Sequence, residues 1–146
     1  MSTTDRRAQI RVGLGSGATQ APSAVAVGLA SALSWGTMLA HNLDELPLAI
    51  GDLENSGPLA IALVLGVAYW RRGGSRAVQW ALLGWALLSL VIGGVVTVLP
   101  LAILPFTPEQ SLSHYLAHVV YTLGQVPLTL LAIAALRHKP QPKNSR

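Results

Sequence analysis

The sequence contains no cysteine and little charge. Without cysteine the chain forms no disulfides, no thiolate metal sites and no thiol redox centre. Charged residues make up 11% of the 146 residues and hydrophobic residues 51%, whereas about 25% of a soluble domain is charged. Aromatic residues are also scarce, at 5%, while glycine occurs 14 times. This composition predicts a membrane protein whose helices pack closely, because glycine lets helix backbones approach each other.

The chain divides into a polar arm, four apolar segments and a basic tail. The arm covers residues 1–22, the segments run over about 24–43, 57–72, 77–104 and 112–136, and the tail covers 138–146. Three segments reach the ~20 residues that a bilayer requires. The second does so only if it extends through Arg71 and Arg72, whose long side chains can reach the headgroups. The sequence therefore predicts an all-α membrane domain over residues 23–137, a four-transmembrane-helix bundle.

The distribution of charge predicts the orientation of this bundle. All ten Lys and Arg residues lie in the arm, in the loop between segments two and three, and in the tail. The other two loops contain five of the six acidic residues: Asp44, Glu45, Asp52, Glu54 and Glu109. The positive-inside rule then places both termini in the cytoplasm, N-in/C-in. Because the basic clusters flank apolar runs, they indicate topology, and no nucleic acid is expected as a partner.

Two of the apolar segments contain stripes of polar residues at helical spacing. In the first segment the stripe consists of Ser34, Met38, His41 and Glu45, and in the fourth it consists of His114, His118, Tyr121 and Gln125. Exposing a polar group to lipid costs several kcal/mol of free energy, so both stripes should face the inside of the bundle. If the two helices are neighbours, as a bundle favours, we expect the imidazoles of His41 and His118 within about 10 Å of each other.

These residue types support two chemistries. The first is a divalent metal site with His41, Glu45, His114 and His118 as ligands, a zinc- or iron-like set. The segment "HYLAH" has the spacing of the HExxH zinc-protease signature, but Tyr115 replaces the catalytic Glu, which excludes that protease. The second is metal-free acid–base catalysis on a lipophilic substrate. Its catalytic groups would be His41, Asp44, Glu45 and His118, with Asn42, Tyr121 and Gln125 binding the substrate.

The same residues also have structural explanations. A helix end at the headgroups contains polar residues simply because water is there, and Asn42 and Asp44 can bond the last carbonyls. Tyr121 fits an interfacial aromatic belt, and Gln125 fits a helix–helix hydrogen bond. The alternatives to an enzyme are therefore a non-catalytic membrane subunit and an oligomeric small transporter. A cavity lined by both stripes would favour the enzyme. A solid bundle without a cavity would favour the subunit, and a polar conduit from Gln125 to the cytoplasm would favour the transporter.

Residues 41–45, His-Asn-Leu-Asp-Glu, resemble the motif that names the HXXEE family of small bacterial membrane proteins. Asp44 departs from that pattern, which has Glu at this position, because the side chain of Asp is shorter by one methylene. The resemblance covers the end of the first segment and the plan of several spans in a short chain, and does not extend to His114 or His118. It implies a multi-pass protein of the bacterial cytoplasmic membrane, and supplies no reaction. Membrane lipid and a lipophilic small molecule are the expected partners, and a homo-oligomer is left open.

Overall fold

A computed structural model of the chain describes residues 20–46, 48–72 and 75–138. It contains four α-helices: α1 (Ala24–Glu45), α2 (Leu53–Arg72), α3 (Arg76–Leu87) and α4 (Leu112–Arg137). A π-helical segment (Leu88–Gly93) and a short 3-10 turn (Val96–Val98) follow α3. No β-strand occurs within these ranges, so the predicted all-α fold is confirmed. Most of the predicted arm and tail, residues 1–19 and 139–146, lie outside the described residues.

Serine caps fix where the two striped helices begin. The Ser23 hydroxyl accepts a hydrogen bond from the Ala26 N–H at 3.1 Å. The Ser111 hydroxyl accepts one from the His114 N–H at 3.2 Å. Each bond satisfies a backbone donor that the first turn of a helix leaves without a partner. The second cap places His114 in the first turn of α4, as the sequence predicted.

Two helix boundaries differ from the prediction. Helix α2 begins at Leu53 rather than near residue 57, and its 20 residues rise about 30 Å. The helical run after α3 ends at Val98, although the apolar segment continues to residue 104. Pro100 explains the early end, because a proline disfavours helical geometry in the residue before it.

Three helical runs are long and apolar enough to cross a membrane: Ala24–Glu45, Arg76–Val98 and Leu112–Arg137. Their outer faces are apolar, as shown on α4 by the exposed residues Leu112, Leu116, Val120 and Leu123. By contrast, many of the buried residues are polar, including Ser34, Asn42, Asn55, His118 and Gln125. This inverted pattern, polar inside and apolar outside, identifies a multi-pass membrane protein. Helix α2 has the length to cross but is less apolar than the other three.

Helix α4 is the centre of the bundle and packs most extensively against α1. At the end where α4 finishes, Leu128, Ala132 and Ala135 pack with Val27 of α1 and Leu82 of α3 in a closely packed apolar core. We call this region the apolar half. At the opposite end the buried residues of α4 are histidines and a tyrosine. The bundle therefore joins a mainly apolar half, which also buries Ser31, Gln79 and Thr129, to a polar one, and the change occurs near Gln125.

We expect that replacing Gly124 by alanine separates α1 from α4. A methyl group at Gly124 would lie 2.6 Å from Thr37 Cγ2 on α1, well inside van der Waals contact. Such overpacking should lower the free energy of unfolding by about 1–3 kcal/mol, measurable as a lower melting temperature in detergent. Gly28→Ala is the control, since nothing lies within 4 Å of its added methyl. Equal stability of the two variants would contradict this packing.

Candidate functional site

A cavity of about 600 Å³ lies where α1 ends and α4 begins. We call it the histidine cavity. Helices α1 and α4 supply its polar wall, the π-helical segment and the 3-10 turn supply a second wall, and residues 106–109 of the loop before α4 supply the third. Met38, Leu46, Phe106 and Pro108 add apolar surface to the lining. The cavity therefore offers polar groups on one side and apolar surface around them.

Three imidazole rings meet at the polar wall. The ring centroids of His41 and His118 are 4.4 Å apart, those of His114 and His118 are 4.7 Å apart, and those of His41 and His114 are 5.6 Å apart. The expected separation of less than about 10 Å between His41 and His118 is confirmed. The two polar stripes thus face each other, because α1 and α4 are neighbours and each turns its polar side toward the other.

Hydrogen bonds fix the tautomers of two of these rings. His118 Nδ1 lies 3.2 Å from the carbonyl oxygen of Gly94, and His114 Nδ1 lies 3.1 Å from Glu45 Oε2. A carbonyl and a carboxylate can only accept hydrogen bonds, so each Nδ1 must hold the hydrogen. In the neutral rings the lone pair is then on Nε2. Glu45 and Gly94 therefore determine which nitrogen of each histidine is available to react or bind.

Two buried nitrogen atoms of the cluster have no hydrogen-bond partner. They are Nδ1 of His41 and Nε2 of His114. Leaving a buried polar atom without a partner costs about 1–3 kcal/mol, so native structures rarely tolerate two such atoms side by side. Among the described residues, no group of three or more His, Asp or Glu side chains is arranged as it stands to hold a metal ion. The metal assignment to His41, Glu45, His114 and His118 stays a prediction.

The π-helical segment positions Gly94 against α4. Its carbonyl accepts hydrogen bonds from His118 and, at 3.1 Å, from the Thr122 hydroxyl. A side chain on Gly94 would meet the Thr122 hydroxyl at 2.6 Å, and one on Gly93 would meet the ring of Tyr121. Sequence reasoning missed both glycines, although a Gly-Gly pair inside an apolar segment signals a close backbone approach. Single-turn π-helices of this kind often occur at functional sites.

The structure separates the three predicted substrate-binding residues. Tyr121 lines the cavity, with its ring centroid 6.0 Å from that of His41. Gln125 is one turn deeper, where its amide bonds the hydroxyl of Ser34 and, at 3.0 Å, the Ser34 carbonyl. Gln125 therefore joins α1 to α4, the structural explanation that the sequence left open.

Asn42 borders the cavity, but its side chain is also part of the turn between α1 and α2. Its amide nitrogen donates to Asn55 Oδ1 at 2.7 Å, and the Asn55 amide donates to the Ala49 carbonyl at 2.7 Å. The Asn55 carbonyl accepts from the Trp35 indole at 3.0 Å. Asp44 is exposed and does not line the cavity. Of the two acidic residues in the 41–45 motif, Glu45 is thus the one beside the histidines.

Replacing Asn55 by alanine should destabilise this turn. Asn55 is 0% exposed, and its removal leaves the Asn42 amide and the Ala49 carbonyl without their present partners. We expect a loss of about 1–3 kcal/mol in the free energy of unfolding. Thermal unfolding in detergent measures it, with the neighbouring Ser56→Ala as control. A melting temperature no lower than that of the control would show that the Asn42–Asn55 pair is not structural.

No protein-family model matches this chain, and no curated protein or solved structure matches it. The resemblance of residues 41–45 to the HXXEE family therefore stays a prediction. What the site can do follows from its own geometry: three adjoining imidazoles, a carboxylate bonded to one of them, and a cavity with apolar walls.

Proposed function

We propose that the chain crosses the bacterial cytoplasmic membrane four times, with both termini in the cytoplasm and the histidine cavity near the outer surface. Helix α2 supports this proposal because its 20 residues are long enough to cross and end in Arg71 and Arg72. Those arginines and Arg76 lie at one end of the bundle, while Glu45 and Glu54 lie at the other. The positive-inside rule assigns the arginine end to the cytoplasm.

Single cysteines test this topology, and the natural chain provides a cysteine-free background. In intact cells a membrane-impermeant maleimide should label Glu54→Cys, at the start of α2, and should label Ser75→Cys only after the cells are opened. Labelling of Ser75→Cys in intact cells, or of neither variant without lysis, would contradict the proposed orientation.

We further propose that the histidine cavity binds a lipophilic molecule by a polar group and that its histidines and Glu45 transfer a proton on that molecule. The observation that supports this most is the cavity itself, because its polar wall combines three imidazoles with a carboxylate. Its volume of about 600 Å³ lies in the usual range of small-molecule sites, about 300–1,000 Å³. A membrane position gives an apolar substrate direct access from the lipid.

The unpartnered nitrogens suggest the roles of the residues. The rings of His41 and His114 line the cavity, and each has a buried nitrogen without a partner that could exchange a proton with the bound molecule once the ring turns toward it. Glu45 holds His114 in place and stabilises its ring when that ring becomes positively charged. If one ring removes a proton from carbon and another returns a proton to a different carbon, atoms and charge balance, and the product is an isomer. Tyr121 can hydrogen-bond the polar group of the substrate.

The deeper parts of the two stripes fit a structural role instead. The bonds between Gln125 and Ser34 join α1 to α4 and leave no polar group of Gln125 for a ligand in the cavity. Beyond Gln125 the buried residues of α4 are mainly apolar and belong to the apolar half. This arrangement argues against a polar conduit to the cytoplasm, and so favours an enzyme over a transporter.

Photolabelling with a long-chain fatty alcohol that contains a diazirine tests binding. We expect labelled peptides from two of the three chain regions that line the cavity, around residues 38–46 and 106–121. Thr97→Trp fills the cavity and should remove most of the labelling there. Val64→Trp, which adds the same bulk to an exposed position on α2, should not. Labelling that Thr97→Trp does not reduce would refute binding in this cavity.

A further inference from the structure

We infer that the imidazoles of His41, His114 and His118 together bind one transition-metal ion of the Zn²⁺ class, while Glu45 and the Gly94 carbonyl hold two of the rings from outside. This inference rests on the proposed function for the place of the site. A bound ion would occupy ring nitrogens to which that function assigns the proton, so proton transfer by the rings belongs to the protein without the ion. The inference also removes Glu45 from the predicted set of metal ligands, because Glu45 would instead accept a hydrogen bond from the ligand His114.

The separation of the rings fits a shared ion. Zn²⁺ binds histidine nitrogen at about 2.0–2.1 Å, which places each ring centroid roughly 3.2 Å from the metal. Two rings bound tetrahedrally then have centroids about 5 Å apart. The three observed separations, 4.4, 4.7 and 5.6 Å, bracket that value.

The hydrogen bonds that His114 and His118 make follow the pattern that is usual for metal-bound histidines. A histidine that binds metal through one nitrogen usually donates its other N–H to a carboxylate or a backbone carbonyl. His114 donates to Glu45 in this way, and His118 donates to Gly94. Both rings therefore have Nε2 free to bind an ion, and Nε2 of His114 is one of the two buried atoms without a partner.

His41 must turn for the ion to bind. As the side chains stand, the described part of the chain holds no ready-made metal group, and the unpartnered nitrogen of His41 is Nδ1. The ring borders a cavity of about 600 Å³, so it has room to rotate about its side-chain bonds. The inference requires that this rotation bring a nitrogen of His41 beside the Nε2 atoms of His114 and His118. The cavity leaves the fourth coordination position to water or substrate, which is the arrangement of catalytic zinc sites.

The chemistry of the donors selects the class of metal. Imidazole nitrogens suit Zn²⁺ and its neighbours in the first transition row, whereas Ca²⁺ and Mg²⁺ prefer oxygen ligands. Three neutral imidazoles leave the charge of a divalent ion uncompensated. Glu45 on α1 and Glu109 in the loop both line the cavity, so two carboxylates border the space beside the rings. A bound divalent cation is therefore electrostatically compatible with this end of the bundle.

Metal titration of the full-length, untagged protein in detergent tests this inference. After treatment with a chelator, Zn²⁺ is added in a calorimeter, and Co²⁺ is used to record the visible spectrum of tetrahedral coordination. We expect one ion per chain. Glu45→Gln should weaken Zn²⁺ binding about 10- to 100-fold, and alanine at His41, His114 or His118 should each weaken it more, because each removes a ligand. His138→Ala is the matched control, because it removes the fourth histidine of the chain and should leave the affinity unchanged.

Thermal stability gives a second readout besides affinity. Zn²⁺ should raise the melting temperature of the natural protein and of His138→Ala, and should not raise that of the three cluster variants. A variant that fails to fold without metal is replaced by its glutamine counterpart. Absence of Zn²⁺ binding, or binding that survives all three substitutions, would overturn the inference. If the photoreactive alcohol still labels the cavity in that case, the metal inference fails and the proposed function stands. If Zn²⁺ binds but the alcohol does not label the cavity, the metal inference stands and the proposed binding of a lipophilic molecule fails.

Discussion

Replacing His41 by alanine, or Glu45 by glutamine, should slow proton transfer to the bound molecule by about 10²–10⁴-fold, the usual contribution of a general acid or base. His41 loses the ring whose Nδ1 has no partner, and Glu45→Gln loses the charge that stabilises protonated His114. The measurement works even when the substrate has not been identified. The protein is incubated in D₂O, its apolar ligand is extracted, and mass spectrometry measures deuterium on carbon.

Glu54→Gln serves as the matched control for this experiment. It makes the same change of carboxylate to amide at an exposed position at the start of α2, away from the histidine cavity. Its rate of deuterium incorporation should equal that of the natural protein. If the natural protein incorporates no more deuterium than the His41 and Glu45 variants, the cavity does not transfer protons to carbon.

Leu128→Ala should lower the free energy of unfolding by about 2–4 kcal/mol, because it opens a cavity in the apolar half. Leu128 is 1% exposed and packs in the core with Val27 and Leu82. Leu130 is two positions along the same helix and is 60% exposed on the outside of the bundle. Leu130→Ala should therefore change stability by less than about 1 kcal/mol, since lipid replaces the lost contacts.

Unfolding of both variants in mixed micelles measures the difference. The comparison also distinguishes an enzyme from a transporter. A polar conduit through this half of the bundle would leave Leu128 beside water and make its truncation nearly as mild as that of Leu130. Equal effects of the two substitutions would therefore contradict the closely packed apolar half.

The polar wall of the site could be predicted from the sequence because one physical rule, the exclusion of polar side chains from lipid, determines it. Lipid excludes polar side chains, so helical spacing alone assigned His41 and Glu45 to one inward face and His114 and His118 to another. Once both faces turn inward, two neighbouring helices must bring them together. Glu45 and His114 are 69 positions apart in the chain and are hydrogen-bonded in the structure.

The remaining walls could not be predicted, because they depend on tertiary contacts that leave no periodic signal. Gly94, the residue after the π-helical segment, orients His118 through its backbone carbonyl, and hydrophobic periodicity does not distinguish a π-helix from an α-helix. Asn55 lies just outside the apolar segment predicted over residues 57–72, yet its side chain is buried against Asn42 because the turn after α1 folds back. The loop that contains Phe106 forms one wall of the cavity because the helical run before it ends at Val98, earlier than the apolar segment of the sequence.

Cross-linking between α1 and α4 tests most directly the claim that their polar faces meet. In the cysteine-free chain, Glu45→Cys and His114→Cys are introduced together and treated with a short bifunctional maleimide. The control pair, Leu43→Cys with Leu116→Cys, occupies exposed positions about 200° around each helix from the first pair. We predict an efficient cross-link within single chains for the first pair and little for the control. A control pair that links as readily as the first, or a first pair that links only separate chains, would contradict the account.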